Sequence, residues 1–89
     1  MKIWGKLMKN NRLLKDYTAE VYDQELNRTR KVYKSLEMIC HEFDIAQPIW
    51  LELNKKQFIC HNKTRFNKDS FLEDIEFDYL EFQVIEEDY

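Results

Sequence analysis

RTRKVYKSLEMICHEF, residues 28–43, is the stretch that decides the fold of this chain. Its apolar residues recur at spacings of three and four, which places them on one stripe of a 3.6-residue helix. They are Val32, Tyr33, Leu36, Ile39, Cys40 and Phe43. A helix with one apolar face must bury that face against another layer. Because the flanking segments alternate like strands, we expect that layer to be a sheet.

The segment before the helix predicts a β-hairpin. One strand is predicted over Lys2–Lys9 and a second over Arg12–Tyr22, although the alternation of the second is imperfect. Asn10 and Asn11 lie between them, and asparagine tolerates the positive φ that tight hairpin turns need. Gly5 inside the first strand predicts a bulge or a close approach of another element.

The limits of the helix follow from capping residues and from proline. Asp23 or Asn27 can accept a hydrogen bond from a free backbone N–H at its start. We expect the helix to end near Asp44, because Pro48 cannot continue it. Beyond the proline, Ile49–Leu53 predicts a third strand.

The third predicted strand contains a tryptophan, Trp50. Its isoleucine and leucines alternate toward the helix, so Trp50 should face away from it, on the same open sheet face as Trp4. Aromatic side chains on an open sheet face indicate a partner, unless C-terminal helices cover them. Trp4 and Trp50 are therefore our candidate interface residues. We expect a homodimer at micromolar concentration, or another protein partner.

The last third of the chain predicts short elements. A short helix is predicted from Asn54 to His61, a loop over Asn62–Asn67 and one helical turn at the capping box of Ser70–Glu73. The last strand, Phe77–Glu86, changes phase, which predicts a bulge near residues 78–80. The order β-β-α-β-short α-β over residues 1–89 predicts a single α+β domain. In it, one long helix packs on one face of a mainly antiparallel four-stranded sheet.

Charge is distributed unevenly along the chain. The net charge of −3 argues against a general nucleic-acid binder. Residues 1–15 carry five basic groups and no acid, whereas residues 69–88 carry nine acids and no base. Opposite charges across a strand pair are favourable. We therefore expect the acidic end of the chain to lie beside its basic start.

A second basic stretch offers an alternative function. Residues 55–68 carry five basic groups, no acid, and phenylalanines among the charges. The basic groups are Lys55, Lys56, Lys63, Arg65 and Lys68. Cations that track phosphates and aromatics that stack on bases are typical of a contact with single-stranded nucleic acid or RNA. No motif of a nucleic-acid-binding fold supports this, so we favour a solvated basic loop whose phenylalanines enter the core.

Signals for catalysis or metal binding are weak. Cys40-His41 and Cys60-His61 could supply four zinc ligands. Adjacent residues on a helix, however, point about 100° apart, so we interpret both cysteines as buried and structural. A single glycine leaves no glycine-rich phosphate loop. We expect no enzymatic activity, no cofactor and no metal.

Three segments carry a resemblance: IWGKLMK at 3–9, KTRF at 63–66 and SFLEDIEFDYLEFQVIEED at 70–88. With them the chain resembles a family of short bacterial proteins to which no function is assigned. The resemblance brings no catalytic or binding residues, and it implies a free-standing cytoplasmic protein. The sequence also has no apolar run of 18 residues and no secretory signal at its start. These features favour the bacterial cytoplasm.

Overall fold

The computed structural model describes residues 1–87, and its central helix, α1, spans Arg28–Phe43 as predicted. Asn27 caps the helix, because its side-chain oxygen accepts a hydrogen bond from the Arg30 N–H at 2.9 Å. Asp44, in the left-handed conformation, ends it. The predicted apolar stripe is buried apart from Tyr33, which is 52% exposed. That exception matters for the site described below.

The fold class is confirmed: α1 packs on a four-stranded antiparallel sheet of order β2-β1-β4-β3. The strands are β1 (Lys2–Lys9), β2 (Arg12–Glu20), β3 (Lys63–Phe66) and β4 (Tyr79–Glu86). A second helix, α2 (Glu52–His61), and a 3-10 turn (Lys68–Ser70) complete the described elements. In chain order this is β-β-α-α-β-β, so the third strand follows the short helix instead of preceding it.

The predicted hairpin is present. Asn10 and Asn11 have φ values of 53° and 60°, the positive pair that a two-residue turn between twisted strands requires. The pairing shifts between Leu7 and Met8, which face Lys15 and Leu13 and leave Leu14 as the extra residue. This bulge explains the imperfect alternation of β2.

Gly5 lies where α1 approaches β1 closely, which is one of the two explanations predicted for this glycine. A Cβ atom built on Gly5 would lie 2.5 Å from Cγ2 of Ile39, so a larger residue would push α1 away from the sheet. The helix therefore crosses β1 at this position, with Ile39 fully buried against the strand.

The predicted strand Ile49–Leu53 is wrong, and so is the predicted loop over 62–67. Residues 45–51 belong to no strand or helix, and α2 begins at Glu52. The place beside β4 is taken by β3, in which Thr64 and Phe66 are buried while its two cations are exposed. The alternation of β3 is therefore a strand pattern. Its two cations made the segment look like a polar loop in the sequence.

Two smaller predictions in the C-terminal part are also wrong. Asn67, not Ser70, caps the helical turn, which lies at 68–70 instead of after Ser70. β4 begins at Tyr79, so the change of phase at Phe77 lies outside the strand and needs no bulge. The irregularity of this pairing is between Lys2 and Ile3, at the other end of β4.

One core holds both helices on the same side of the sheet. Ile39 of α1 contacts β1 at Gly5, and Phe58 of α2 stacks on Phe82 of β4 with ring centroids 5.6 Å apart. Phe66 and Phe82 have no exposed surface. The opposite side of the sheet, which we call the outer face, is contacted by neither described helix.

Candidate functional site

The outer face is a ladder of ion pairs. Lys2 lies between Glu20 and Glu86, at 3.7 and 3.5 Å. Lys6 of β1 lies 2.6 Å from Oε2 of Glu81 on β4. The predicted proximity of the acidic end to the basic start is therefore confirmed, and it arises because β1 and β4 are antiparallel neighbours.

Glu81 is the centre of this ladder, and it is only 5% exposed although it lies on an open face. Besides Lys6, it accepts a hydrogen bond from Nε of Arg65 at 3.1 Å and lies 3.9 Å from Nζ of Lys63. Burial alone would raise the pKa of Glu81, but the hydrogen bonds and the three cations together lower it. The carboxylate is thus held ionised by partners on both neighbouring strands.

Trp4 is confirmed on the outer face, and its polar group is satisfied there. Its indole N–H donates to Oδ2 of Asp16 at 3.0 Å. The ammonium of Lys6 lies 4.2 Å from the centre of the ring, a cation–π contact. The chain itself thus supplies partners for both the edge and the face of this ring.

The basic residues of 55–68 do not form one surface. Lys63 and Arg65 project from β3 onto the outer face, where Glu81 pairs with both. Lys55 lies on α2, on the other side of the sheet, 3.4 Å from Glu52. Of the remaining two, Lys56 is on α2 and Lys68 in the 3-10 turn. The predicted basic loop is therefore a helix and a strand that point their charges in different directions.

The predicted position of Trp50 on the outer face is wrong, because its ring packs on the helix side. The ring centroid lies 4.9 Å from that of Phe66 and 5.4 Å from that of Phe58, both nearly perpendicular to it. Ile49 and Leu51, predicted to face inward, are 46% and 37% exposed. Within residues 1–87, the buried indole nitrogen of Trp50 has no hydrogen-bond acceptor.

The remaining exposed edge of Trp50 borders a groove of about 230 Å³ between the two helices, which we call the helix groove. Its lining residues are Arg28, Thr29, Val32, Tyr33, Trp50, Lys55, Phe58 and Ile59. Tyr33 of α1 and Ile59 of α2 both line it, and they are 52% and 81% exposed. The sequence predicted Tyr33 as part of the core and Ile59 as an apolar contact of the short helix, but both are exposed. The groove was therefore not predicted.

The charged side chains that line the helix groove are cations, and each has an acidic partner beside the groove. Its lining contains two cations, Arg28 and Lys55, and no acid. The first turn of α1 also contains no acid, so the positive end of the helix dipole is not offset there. Glu87 partly compensates Arg28, whose Nη2 lies 2.6 Å from Oε1 of Glu87, and Glu52 partly compensates Lys55, whose Nζ lies 3.4 Å from Oε1 of Glu52.

Asn54 fixes the wall of the groove that α2 provides. Its side-chain oxygen accepts from the Leu51 N–H at 3.1 Å and from the Ser70 hydroxyl at 3.2 Å. Its amide nitrogen donates to Thr64 Oγ1 and to the Arg65 carbonyl, both at 2.9 Å. The Asn54 amide thus makes all four of its hydrogen bonds, and through them it joins α2, β3 and the 3-10 turn. The sequence predicted Asn54 only as the start of the short helix.

A larger depression of about 520 Å³ lies at the other end of α1. Its apolar lining includes Phe43 and Phe71, and its acids are Asp44, Glu73, Asp74 and Glu76. Carboxylates at the C-terminal end of a helix face the negative end of its dipole. Its chemistry is thus the opposite of that of the helix groove.

The cysteines differ from each other. Cys40 is buried as predicted, and burial raises the pKa of its thiol to about 12, which keeps it protonated at neutral pH. Cys60 is exposed on α2, so the prediction that it is buried is wrong. Within residues 1–87, no cluster of three or more histidine, cysteine or acidic side chains is placed to hold a metal ion.

No protein-family model, curated protein or solved structure matches this chain. No helix in the described part of the chain combines the length and the apolar character needed to cross a membrane.

Proposed function

We propose that this chain is a non-enzymatic interaction module, and that it binds an apolar side chain of a protein partner in the helix groove. The observation that carries the proposal is the convergence of Tyr33, Trp50 and Ile59 on one groove whose charged lining residues are both cations. Aromatic rings at a concave site are the usual anchors of protein interfaces. The free thiols of Cys40 and Cys60 fit a reducing compartment, such as the cytoplasm, as its location.

The partner segment that fits best is an apolar anchor flanked by acids. The groove is about the size of one large side chain, and Phe58 and Val32 at its floor are buried. Arg28 and Lys55 already pair with Glu87 and Glu52, and carboxylates on either side of the anchor would share these two cations. Because Tyr33 and Trp50 are rigid aromatic rings, holding them against a ligand loses little conformational entropy.

A peptide titration tests this function. The Trp4→Phe variant leaves Trp50 as the single tryptophan, so its fluorescence reports on the groove. We expect a peptide with one leucine between glutamates to shift the emission of Trp50. The same peptide with lysines in place of the glutamates should bind at least about tenfold more weakly, a difference of about 1.4 kcal/mol.

Two α2 variants serve as a matched pair in this titration. Ile59→Glu places a carboxylate in the groove and should abolish binding. Leu53→Glu changes a residue that is 63% exposed on the same helix but does not line the groove, so binding should remain. Equal affinity of both variants for the acidic peptide would contradict the proposal.

The nucleic-acid alternative is a separate outcome of the same experiment. A single-stranded oligonucleotide that binds tightly, with an affinity that falls steeply as salt is added, would indicate phosphate contacts instead of apolar docking. Variants of Lys63 and Arg65 would then weaken binding, although Glu81 already pairs with both of these residues.

A further inference from the structure

A loop beyond the 3-10 turn exposes a single apolar side chain among acids. Leu72 is 90% exposed, the highest value among the large hydrophobic residues that the structure describes as exposed. The residues that follow it include Glu73, Asp74 and Glu76. A leucine presented to solvent beside three carboxylates has the chemistry that the helix groove accepts.

The root of this loop is fixed, so Leu72 is presented in a defined place. Phe71, next to it, is buried and packs on Phe77 with ring centroids 5.4 Å apart. The Ser70 carbonyl accepts from the Ile49 N–H at 2.7 Å, and the Ser70 hydroxyl donates to Asn54. A segment that is already ordered loses less entropy when it binds.

We infer that the partner is a second copy of this chain, in which Leu72 enters the helix groove of its neighbour. This rests on the proposed function of the groove and names its occupant. The contact brings carboxylates at 73 and 74 toward Arg28 and Lys55, the two cations of the groove, which would share them with Glu87 and Glu52. The groove and the Leu72 loop are different surfaces of one chain, because Leu72 does not line the groove. In a single contact, the copy that donates Leu72 therefore keeps a free groove, and the copy that accepts it keeps a free loop. Two copies that exchange both contacts close into a two-fold dimer, and otherwise further copies add to the free groove and the free loop.

The test uses variants that each lack one of the two surfaces. In sedimentation velocity, the average mass of the wild-type protein should rise with concentration up to about 300 μM and pass beyond that of a dimer unless a ring closes first. Ile59→Glu and Leu72→Lys should each remain monomeric. Leu53→Glu and Leu13→Lys, at exposed positions outside both surfaces, should behave like the wild type. Circular dichroism checks that every variant is folded.

Mixing the two defective variants gives the decisive result. Ile59→Glu retains an intact Leu72 loop, and Leu72→Lys retains an intact groove, so the mixture should form a 1:1 complex that grows no further. An interface that does not pair Leu72 with the groove would give no such rescue, because the mixture would behave like the separate variants. Either the absence of rescue or a monomeric wild type at about 300 μM would overturn the inference.

The outcome also separates the two proposals. If the wild type is monomeric but the acidic peptide still binds beside Trp50, the groove is a docking site for another protein and only the inference about the second copy fails. If neither copies nor peptide bind, both fail. If both hold, the peptide should dissociate the wild-type assembly.

Discussion

Trp4 and Trp50 lie on opposite sides of one sheet, and their surroundings differ. On the outer face, Trp4 donates to Asp16 and is covered by Lys6, within a ladder of paired charges. On the helix side, the indole nitrogen of Trp50 has no acceptor within the described residues, and its ring borders an open groove with two exposed apolar neighbours. An open sheet face is therefore not by itself a sign of a binding surface. What indicates a partner is apolar surface that the chain does not pair with its own groups.

The two sides of the sheet are therefore stabilised by different forces. The largest loss of stability should come from a substitution on the helix side. Leu36 is 2% exposed beneath α1. Leu36→Ala should lower the free energy of unfolding by about 2–5 kcal/mol, through lost burial and a cavity. Lys34→Ala, on the exposed side of the same helix, should lower it by less than about 0.5 kcal/mol.

Chemical denaturation of both α1 variants measures this difference. The loss for Leu36→Ala should be the same in low salt and in about 1 M salt, because apolar packing involves no charges to screen. Similar small losses for the two variants would mean that α1 is not the covering layer of the sheet.

A smaller effect is expected on the outer face. Glu81→Gln removes a carboxylate that three cations share, and should lower the free energy of unfolding at pH 7 by about 1–3 kcal/mol. Glu20→Gln, which affects an exposed pair with Lys2, should lower it by less than about 0.5 kcal/mol. About 1 M salt should reduce the Glu81 loss, unlike the Leu36 loss.

The pH dependence of the Glu81 effect has a defined sign. Because the folded protein lowers the pKa of Glu81, the ionised group stabilises the fold at pH values above the ordinary glutamate value of about 4.3. That contribution is lost as the pH falls through the lowered value. The difference between wild type and Glu81→Gln should therefore shrink in acid. A difference that stays constant down to about pH 2 would mean that the ladder does not hold the carboxylate ionised.

The predictions from sequence succeeded where one local pattern decides the structure. The stripe of α1, the Asn10-Asn11 turn and the close approach at Gly5 each depend on a few neighbouring residues. The turn was predicted outright, the stripe was predicted apart from the exposed Tyr33, and the close approach was one of two alternatives for Gly5. The charge pattern also indicated that the two chain ends pair, because β1 and β4 carry opposite charges on facing positions.

The predictions failed where distant residues compete for one place. Ile49–Leu53 and Lys63–Phe66 both alternate, but only one segment can occupy the edge beside β4. The structure gives it to Lys63–Phe66, whose cations meet Glu81 while its phenylalanine fills the core. Trp50 then turns inward, since its ring buries more apolar area than the isoleucine and leucine beside it. The helix groove depends on this outcome, so no local pattern could have shown it.

The central claim is that the helix groove, and not the outer face, is the interaction surface. The two tryptophans allow one direct measurement of it, because each contributes its own indole N–H signal to a ¹⁵N–¹H correlation spectrum. As the acidic peptide is added, or as the protein is concentrated, the signal of Trp50 should shift progressively while that of Trp4 stays in place. A shift of the Trp4 signal with no change at Trp50 would contradict the claim and identify the outer face as the interface.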